Sequence, residues 1–145
     1  MADENQRELG KRVRTEVLGE AHVARSLAQS DDFSLPMQEL VMDYAWGEIW
    51  SRPGLDRRSR SVLNLGLLAA LGHHHELAVH VRGAVRNGLT EDEIREVLLQ
   101  TAVYAGMPVG LEAFRVAGAV LAEMRDVPRQ DEVGDTRTED TPRRS

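Results

Sequence analysis

Residues 56–88 read DRRSRSVLNLGLLAALGHHHELAVHVRGAVRNG and contain two helical patterns separated by one glycine. Asp56 is a good N-cap for the first helix, which is apolar on most sides and is therefore expected to be buried. Gly72 ends that helix, and a second helix follows over residues 73–87, with Gly88 as its C-terminal stop. Because helices joined by short loops pack as antiparallel neighbours, this stretch predicts an all-α fold.

Helical patterns continue on both sides of this stretch. Ser34 followed by Pro36 is typical of a helix start, and residues 90–93, TEDE, form a capping box. A break is predicted at residues 106–108, GMP, and no period-2 strand pattern of useful length is present. We expect a compact fold of about six to seven helices, which also cover residues 4–18, 21–28, about 34–50, about 90–105 and 109–124.

The length and composition suit one domain followed by a tail. The chain has 145 residues, of which 41% are hydrophobic, enough for one modest core. From residue 126 onward it reads DVPRQDEVGDTRTEDTPRRS, which cannot bury enough apolar surface to fold alone. We therefore predict a helical domain over residues 1–125 and a disordered polar tail over residues 126–145.

Composition also excludes several classes of function. The chain has no cysteine, which excludes disulfides, thiolate metal sites and thiol redox chemistry. Its net charge of −6 lacks the basic signature of a nucleic-acid-binding domain. The longest apolar run, residues 63–71, is too short to span a bilayer, and residues 1–9 lack the apolar core of a signal peptide. A cytoplasmic protein without nucleic-acid or membrane partners is expected.

One face of the helix over residues 73–87 carries candidate catalytic groups. His73, Glu76, His80 and Gly83 lie at helical spacing on that face, and the glycine leaves it without bulk. Two imidazoles and a carboxylate together could transfer a proton in a reaction. The alternative is that these histidines are ordinary helix residues, either exposed or hydrogen-bonded to their neighbours. Glu76 and His80 have the i, i+4 spacing of metal ligands, but no third ligand is evident, so no metal site is expected.

A second cluster lies in residues 44–54, YAWGEIWSRPG, which contain both tryptophans of the chain. Trp46 and Trp50 are one helical turn apart and are expected to cover apolar surface together. Glu48 lies near the C-terminal end of its helix, where the helix dipole disfavours a carboxylate. That placement makes Glu48 a candidate functional residue, with an ordinary solvated glutamate as the alternative.

Arginine dominates the cations, because Lys11 is the only lysine. An arginine can bind a carboxylate through two parallel hydrogen bonds, so carboxylate recognition is easy to arrange. Helices rich in glycine and alanine would also allow close packing across subunits, so a homo-oligomer is expected. The candidate carboxylate anchors, which the spacing does not rank, are Arg52, Arg82 and, from another chain of the oligomer, Arg12 or Arg14.

Two longer stretches resemble a known family. Residues 44–108, YAWGEIWSRPGLDRRSRSVLNLGLLAALGHHHELAVHVRGAVRNGLTEDEIREVLLQTAVYAGMP, and residues 14–27, RTEVLGEAHVARSL, are similar to the 4-carboxymuconolactone decarboxylase family. The similarity spans roughly residues 8–125. It implies an AhpD-like helical subunit that assembles as a homo-oligomer, a hexamer or a trimer. It also implies decarboxylation of 4-carboxymuconolactone to the β-ketoadipate enol-lactone, a step of the β-ketoadipate pathway in protocatechuate and aromatic acid catabolism.

The resemblance also points to individual residues. In the decarboxylase branch, Glu48, Glu76 and His80 match the family pattern, whereas His73 and its neighbours depart from it. In the AhpD branch, the peroxidase cysteines fall on positions 73 and 76, and the upstream glutamate falls on Ser61. Because those thiols are missing, peroxidase activity is not expected.

The substrate that the resemblance implies carries its own electron sink. Loss of CO₂ pushes an electron pair through the ring double bond into the lactone carbonyl, so no cofactor is expected. The protein must hold two carboxylates, stabilise an oxyanion and deliver one proton. We expect His80 to contact the lactone oxygen or donate the proton, with Glu48 or Glu76 as its partner. The expected substrate contacts are Arg52, Arg82, Arg12, Arg14, Trp46 and His73.

Two alternatives remain open at this point. One is a related lactone decarboxylase or isomerase of secondary metabolism on the same scaffold. The other is a non-catalytic helical module that binds a ligand or takes part in an assembly.

Overall fold

The computed structural model describes residues 4–127 of the chain, and these residues form helices and connecting turns without strands. This confirms the predicted all-α fold class. Residues 128–145, nearly all of the predicted tail, lie outside the described residues. The helices are α1 (Glu4–Leu18), α2 (Glu20–Ala28), α3 (Leu35–Leu40), which continues into a π-helical segment (Val41–Ile49), α4 (Arg57–Leu71), α5 (His74–Arg86), α6 (Glu91–Ala105) and α7 (Met107–Asp126).

Side-chain caps fix two of the predicted helix starts. The carboxylate of Asp56 accepts a hydrogen bond from the backbone N–H of Ser59 at 2.7 Å, which satisfies one free donor of α4. Thr90 and Glu93 form the predicted capping box at the start of α6. Gly72 ends α4 in the left-handed conformation, with φ of 72°. These local signals therefore place α4 and α6 where the sequence predicts them.

Ser34 is the N-cap residue of α3, as predicted, but it makes no side-chain capping bond, because its hydroxyl donates to the carboxylate of Asp31 in the preceding turn. Other predicted boundaries are wrong by one or two residues. The last helix begins at Met107 rather than at residue 109, with Pro108 in its first turn, where a missing N–H costs nothing. His73 lies at the N-cap of α5 rather than within the helix.

The four C-terminal helices, α4 to α7, share the larger core of the molecule. Leu65, Leu77, Ile94 and Leu98 are its largest side chains, each exposed by 1% or less. The prediction that α4 is buried on most sides is wrong for the single chain. Three leucines at every fourth position of α4 are between 49% and 66% exposed, which leaves an apolar stripe on the surface; they are Leu63, Leu67 and Leu71.

A second, smaller core joins α1 and α2 to the π segment, Val41–Ile49, and to α5. Backbones come closest where α1 crosses the π segment, since a Cβ built on Gly10 would lie 2.0 Å from the carbonyl oxygen of Met42. On the facing side, a Cβ on Gly47 would lie 2.8 Å from the carbonyl oxygen of Gln6. Glycine is therefore required on both sides of this crossing.

Helix α5 contacts both cores. Leu77, Val81 and Ala84 face the larger core, and Gly83 packs against α1. A Cβ on Gly83 would lie 3.2 Å from Leu18 and 3.3 Å from Val17. The lack of bulk at position 83, which the sequence singled out on the histidine face, therefore serves the close packing of α5 against α1. No helix within residues 4–127 is long and apolar enough to cross a membrane.

Candidate active site

Two indoles and one imidazole form a stack in the smaller core. The ring centroids of Trp46 and Trp50 are 4.9 Å apart, and each lies 6.0 Å from the ring centroid of His80. The planes of Trp46 and His80 differ by only 6°. We call these three side chains the indole–imidazole stack. It confirms the predicted pairing of the tryptophans and places His80 against a flat apolar wall.

The π segment explains how both indoles reach the same ring. The backbone N–H of Trp50 donates to the carbonyl oxygen of Ala45 at 2.9 Å, five residues back instead of four. Wider turns of this kind occur often at functional sites. Trp46 is 4% exposed and belongs to the smaller core, so it fixes one side of the stack.

His80 is mostly buried, and burial lowers its pKa to about 4, with the nearby His22 and Arg14 acting in the same direction. Glu76, one helical turn earlier, opposes that shift through its negative charge. The imidazole is therefore neutral at neutral pH. A neutral imidazole carries one N–H, which can donate to an oxygen that gains negative charge during a reaction.

Arg14 lies close enough to His80 to lower its pKa and is only 6% exposed. Its terminal nitrogens donate to the amide oxygen of Gln38 at 3.1 Å and to the hydroxyl of Ser26 at 3.0 Å, while its Nε has no partner. Burial lowers the pKa of Arg14, although the group stays charged at neutral pH. Within residues 4–127 no carboxylate pairs with this guanidinium, so the site holds a buried, uncompensated cation.

The other predicted anchors have different surroundings. Arg52 pairs with Glu48 at 3.5 Å, and Arg82 pairs with Glu123, so both cations are already neutralised on the surface. Arg12 is exposed on α1. Of the four arginines that the sequence could not rank, Arg14 is the buried one, and its charge lowers the pKa of His80 within one chain.

Glu48 lies away from the indole–imidazole stack. It is two residues from both tryptophans, and side chains two apart in a helix do not face one another. Its carboxylate accepts from the amide of Gln6 at 3.2 Å, pairs with Arg52 and lines an open surface groove. The structure thus brings Glu76 near His80 but does not place Glu48 there.

The histidine run at the start of α5 is exposed. His73 is the N-cap residue and makes no side-chain capping bond, and His74 and His75 are also exposed. Among residues 4–127 no three histidine or carboxylate side chains are grouped so that they could hold a metal ion.

The sequence profile of the carboxymuconolactone decarboxylase family matches residues 36–119, more than half of the chain. The chain belongs to the carboxymuconolactone decarboxylase family. The matched segment contains Trp46, Glu76 and His80 of the site just described. It does not contain α1 and α2, which contribute Arg14 and His22.

Individual relatives match a longer part of the chain than the family profile does. It is 43% identical to the 4-carboxymuconolactone decarboxylase of Acinetobacter baylyi over 130 residues, which cover 90% of this chain and 97% of the relative. It is 46% identical to the nitrosuccinic acid decarboxylase of Metarhizium robertsii over 117 residues, 81% of this chain and 82% of the relative. An uncharacterised protein of Paracoccus denitrificans is 32% identical over 85 residues, 57% of this chain and 63% of its own.

His22 was not predicted from the sequence. Burial lowers its pKa, and the charges of Arg14 and Arg25 act in the same direction. One signal could have found it. His22 and Ser26 lie four residues apart on α2 and share a face, and both belong to the stretch RTEVLGEAHVARSL that resembles the family.

Lowering the pH should reduce the free energy of unfolding, and His80 should contribute to that reduction. Its pKa falls from 6.5 to about 4 on folding, so between these values the unfolded chain binds a proton that the folded chain does not. The stabilisation is complete above pH 6.5 and is lost as the pH falls towards 4. We expect the free energy of unfolding, measured with urea at pH 7.5 and pH 4.5, to drop by about 2 kcal/mol less in His80→Asn than in the wild type. Equal drops would show that His80 is not a buried neutral imidazole.

Proposed function

We propose that the chain catalyses the cofactor-independent decarboxylation of 4-carboxymuconolactone to the β-ketoadipate enol-lactone, with release of CO₂, in the catabolism of protocatechuate and related aromatic acids. The observation that carries the proposal is the neutral, mostly buried His80 stacked on two indoles beside the uncompensated cation Arg14. The similarity to a 4-carboxymuconolactone decarboxylase over 90% of the chain supports this choice of substrate.

The reaction needs an acceptor for one electron pair. The bond between the ring carbon and its carboxylate breaks, CO₂ leaves, and the pair moves through the ring double bond onto the lactone carbonyl oxygen. The N–H of neutral His80 donates to that oxygen as its charge grows, beside the apolar faces of the two indoles. A proton then adds to the carbon next to the carbonyl group, which gives the enol-lactone.

The proton and the substrate contacts come from the residues around the stack. Glu76 lies one turn from His80, so we assign it to orient His80 or relay the proton. Trp46 provides the apolar wall, and Arg14 binds a carboxylate. Glu48 holds α1 against the π segment through Gln6, and we do not assign it a chemical step.

A second candidate substrate is a 2-nitro dicarboxylate. It is favoured by the 46% identity to a nitrosuccinic acid decarboxylase. A nitro group next to the leaving carboxylate can take up the electron pair as a lactone carbonyl does. The same set of residues, one neutral donor and one buried cation, would serve either reaction.

Steady-state kinetics of the purified chain on 4-carboxymuconolactone and on 2-nitrosuccinate tests the choice of substrate. We expect kcat/KM for the lactone to exceed that for the nitro compound by at least about 100-fold, since the two differ in the group that the donor must contact. A preference for 2-nitrosuccinate would replace the proposed substrate. A folded chain that consumes neither compound would favour a non-catalytic ligand-binding module.

We also propose that the chain forms a homo-oligomer through α4 and α6. The stripe of leucines on α4 faces solvent in the single chain, next to Val103 and Tyr104 of α6, which are 70% and 85% exposed. The two helices line an apolar groove of about 430 Å³. A contiguous exposed apolar surface of this kind is typical of a site where another protein surface binds. Light scattering should give the mass of an oligomer, which Leu67→Glu should reduce to that of a monomer.

A further inference from the structure

We propose that Arg14 of α1 and His22 of α2 form a subsite for the carboxylate that the substrate keeps, while the carboxylate that leaves as CO₂ lies against the indole–imidazole stack. The inference rests on the proposed decarboxylation of a dicarboxylate. It adds that two parts of the molecule have different roles. The helices before the family segment, residues 36–119, select the substrate, and the segment itself carries out the reaction.

Arg14 has a positive charge that no carboxylate of residues 4–127 pairs with. Its guanidinium is bonded only to neutral groups, Gln38 and Ser26, and its Nε is buried without a partner. A buried cation without a counter-charge is expensive to keep, and arginines of folded proteins are normally paired or exposed. Within residues 4–127 the paired arginines all lie at the surface, as Arg52 and Arg82 do. A carboxylate from the substrate would supply both the missing charge and the missing acceptor.

His22 belongs to the same subsite by its place on α2. It shares one face of that helix with Ser26, whose hydroxyl accepts from Arg14 at 3.0 Å. The bond from Arg14 to Ser26 joins α1 to α2, and Gly83 of α5 packs against α1, so the helices that carry Arg14, His22 and His80 meet in one region. Arg14 and His22 also each lower the pKa of His80. His22 can therefore donate a second hydrogen bond to a carboxylate that Arg14 holds.

The change of charge during decarboxylation determines which of the two substrate carboxylates should bind Arg14. A cation on the leaving carboxylate stabilises the ground state, and that stabilisation is lost when neutral CO₂ forms. A cation on the retained carboxylate binds the ground state and the transition state equally and orients the ring. The leaving group therefore belongs on the apolar faces of Trp46 and Trp50, where a charge is least stable and a neutral product is favoured.

The match to one relative reaches further towards the N-terminus than the family profile does. The alignment with the Acinetobacter baylyi relative covers 130 of the 145 residues and so extends well before residue 36. The aligned stretch therefore covers helix α2, the helix that contains His22. The family profile, which represents a wider group of proteins, begins only at residue 36.

A substrate–protein cycle tests the subsite. The lactone is compared with an analogue in which the acetate arm is shortened to a methyl group, so that only the leaving carboxylate remains. We expect the wild type to lose about 100-fold in kcat/KM on the analogue, since a charged hydrogen-bonded pair is removed. In Arg14→Met the two compounds should react at equal, low kcat/KM. His22→Gln should raise KM for the lactone and leave the analogue unaffected.

The outcomes separate this proposal from the proposed function. If Arg14→Met slows both compounds by the same factor, Arg14 contacts the leaving carboxylate or supports the fold, and the subsite is wrong. If the wild type consumes neither compound, the reaction is wrong, and the subsite is tested by calorimetry with the ring-saturated, unreactive lactone. Its Kd should rise about 100-fold in Arg14→Met, and removal of its acetate arm should then have no further effect. An unchanged Kd would overturn the subsite.

Two further variants distinguish the loss of the subsite from a defect in folding. Lys11→Met removes an exposed cation from the same helix and should leave kcat/KM for both the lactone and the analogue at the wild-type values. If Arg14→Met does not fold, Arg14→Lys keeps the charge but cannot form two parallel hydrogen bonds. It should retain part of the discrimination between lactone and analogue, and full retention would contradict the role of the guanidinium.

Discussion

Replacement of His80 by asparagine should lower kcat on the lactone by about 10³-fold, the effect of removing one preorganised donor from an oxyanion. Asparagine is smaller than histidine and cannot place its amide N–H where the imidazole nitrogen lies against Trp46 and Trp50. The loss should appear in kcat rather than in KM, because the oxygen carries its charge only in the transition state. Stopped-flow absorbance of the lactone under single-turnover conditions measures the chemical step directly.

The matched control for His80 is His74 on the same helix. His74 is exposed, so His74→Asn should keep the wild-type rate, and both variants should keep the far-ultraviolet dichroism of the folded chain. A pH profile adds a second criterion. Because burial lowers the pKa of His80 to about 4, the free enzyme should retain its activity at pH 6, where an exposed imidazole would be mostly protonated. A His80→Asn variant with the wild-type kcat would remove this residue from the reaction.

The largest expected loss of stability comes from Gly10. Alanine there would place its Cβ 2.0 Å from the carbonyl oxygen of Met42 and 3.0 Å from the backbone nitrogen of Gly47. Both neighbours are backbone atoms of the π segment, so neither can rotate away. We expect Gly10→Ala to lower the free energy of unfolding by about 3 kcal/mol or more, measured by urea denaturation.

Gly118 supplies the matched control for this prediction. It lies on the exposed side of α7, and a Cβ there would meet nothing within 4 Å. Gly118→Ala should therefore raise the stability by about 0.5–1 kcal/mol, as alanine does in a helix. Because the π segment carries Trp46, Gly10→Ala should also lower kcat in the fraction that still folds. Equal stability of the two variants would show that α1 and the π segment are not in close contact.

Spacing along the chain predicted much of the fold. Helix starts at Asp56 and Thr90 follow from side chains that bond to backbone three residues away, so the sequence contains the whole interaction. The pairing of Trp46 with Trp50 follows from their separation by one turn. Such features need no knowledge of the tertiary structure.

The site itself could be predicted only in part. Arg12 and Arg14 are both arginines of α1, and only the packing of α1 against α2 and α3 buries one and exposes the other. Glu48 was expected beside His80, but its neighbours are decided by the crossing of α1 and the π segment. Helical spacing shows which residues share a face, whereas the helix that meets that face is determined by long-range contacts.

The most direct test of decarboxylation assisted by His80 is the release of CO₂ from a lactone labelled with ¹³C in the ring-bound carboxylate. The purified chain is treated with a chelator and dialysed, and the gas is followed by membrane-inlet mass spectrometry. We expect one ¹³CO₂ for each lactone consumed by the wild type and about 10³-fold slower release by His80→Asn. Folded wild type that consumes the lactone without releasing ¹³CO₂, or that releases it equally fast after loss of His80, would contradict this expectation.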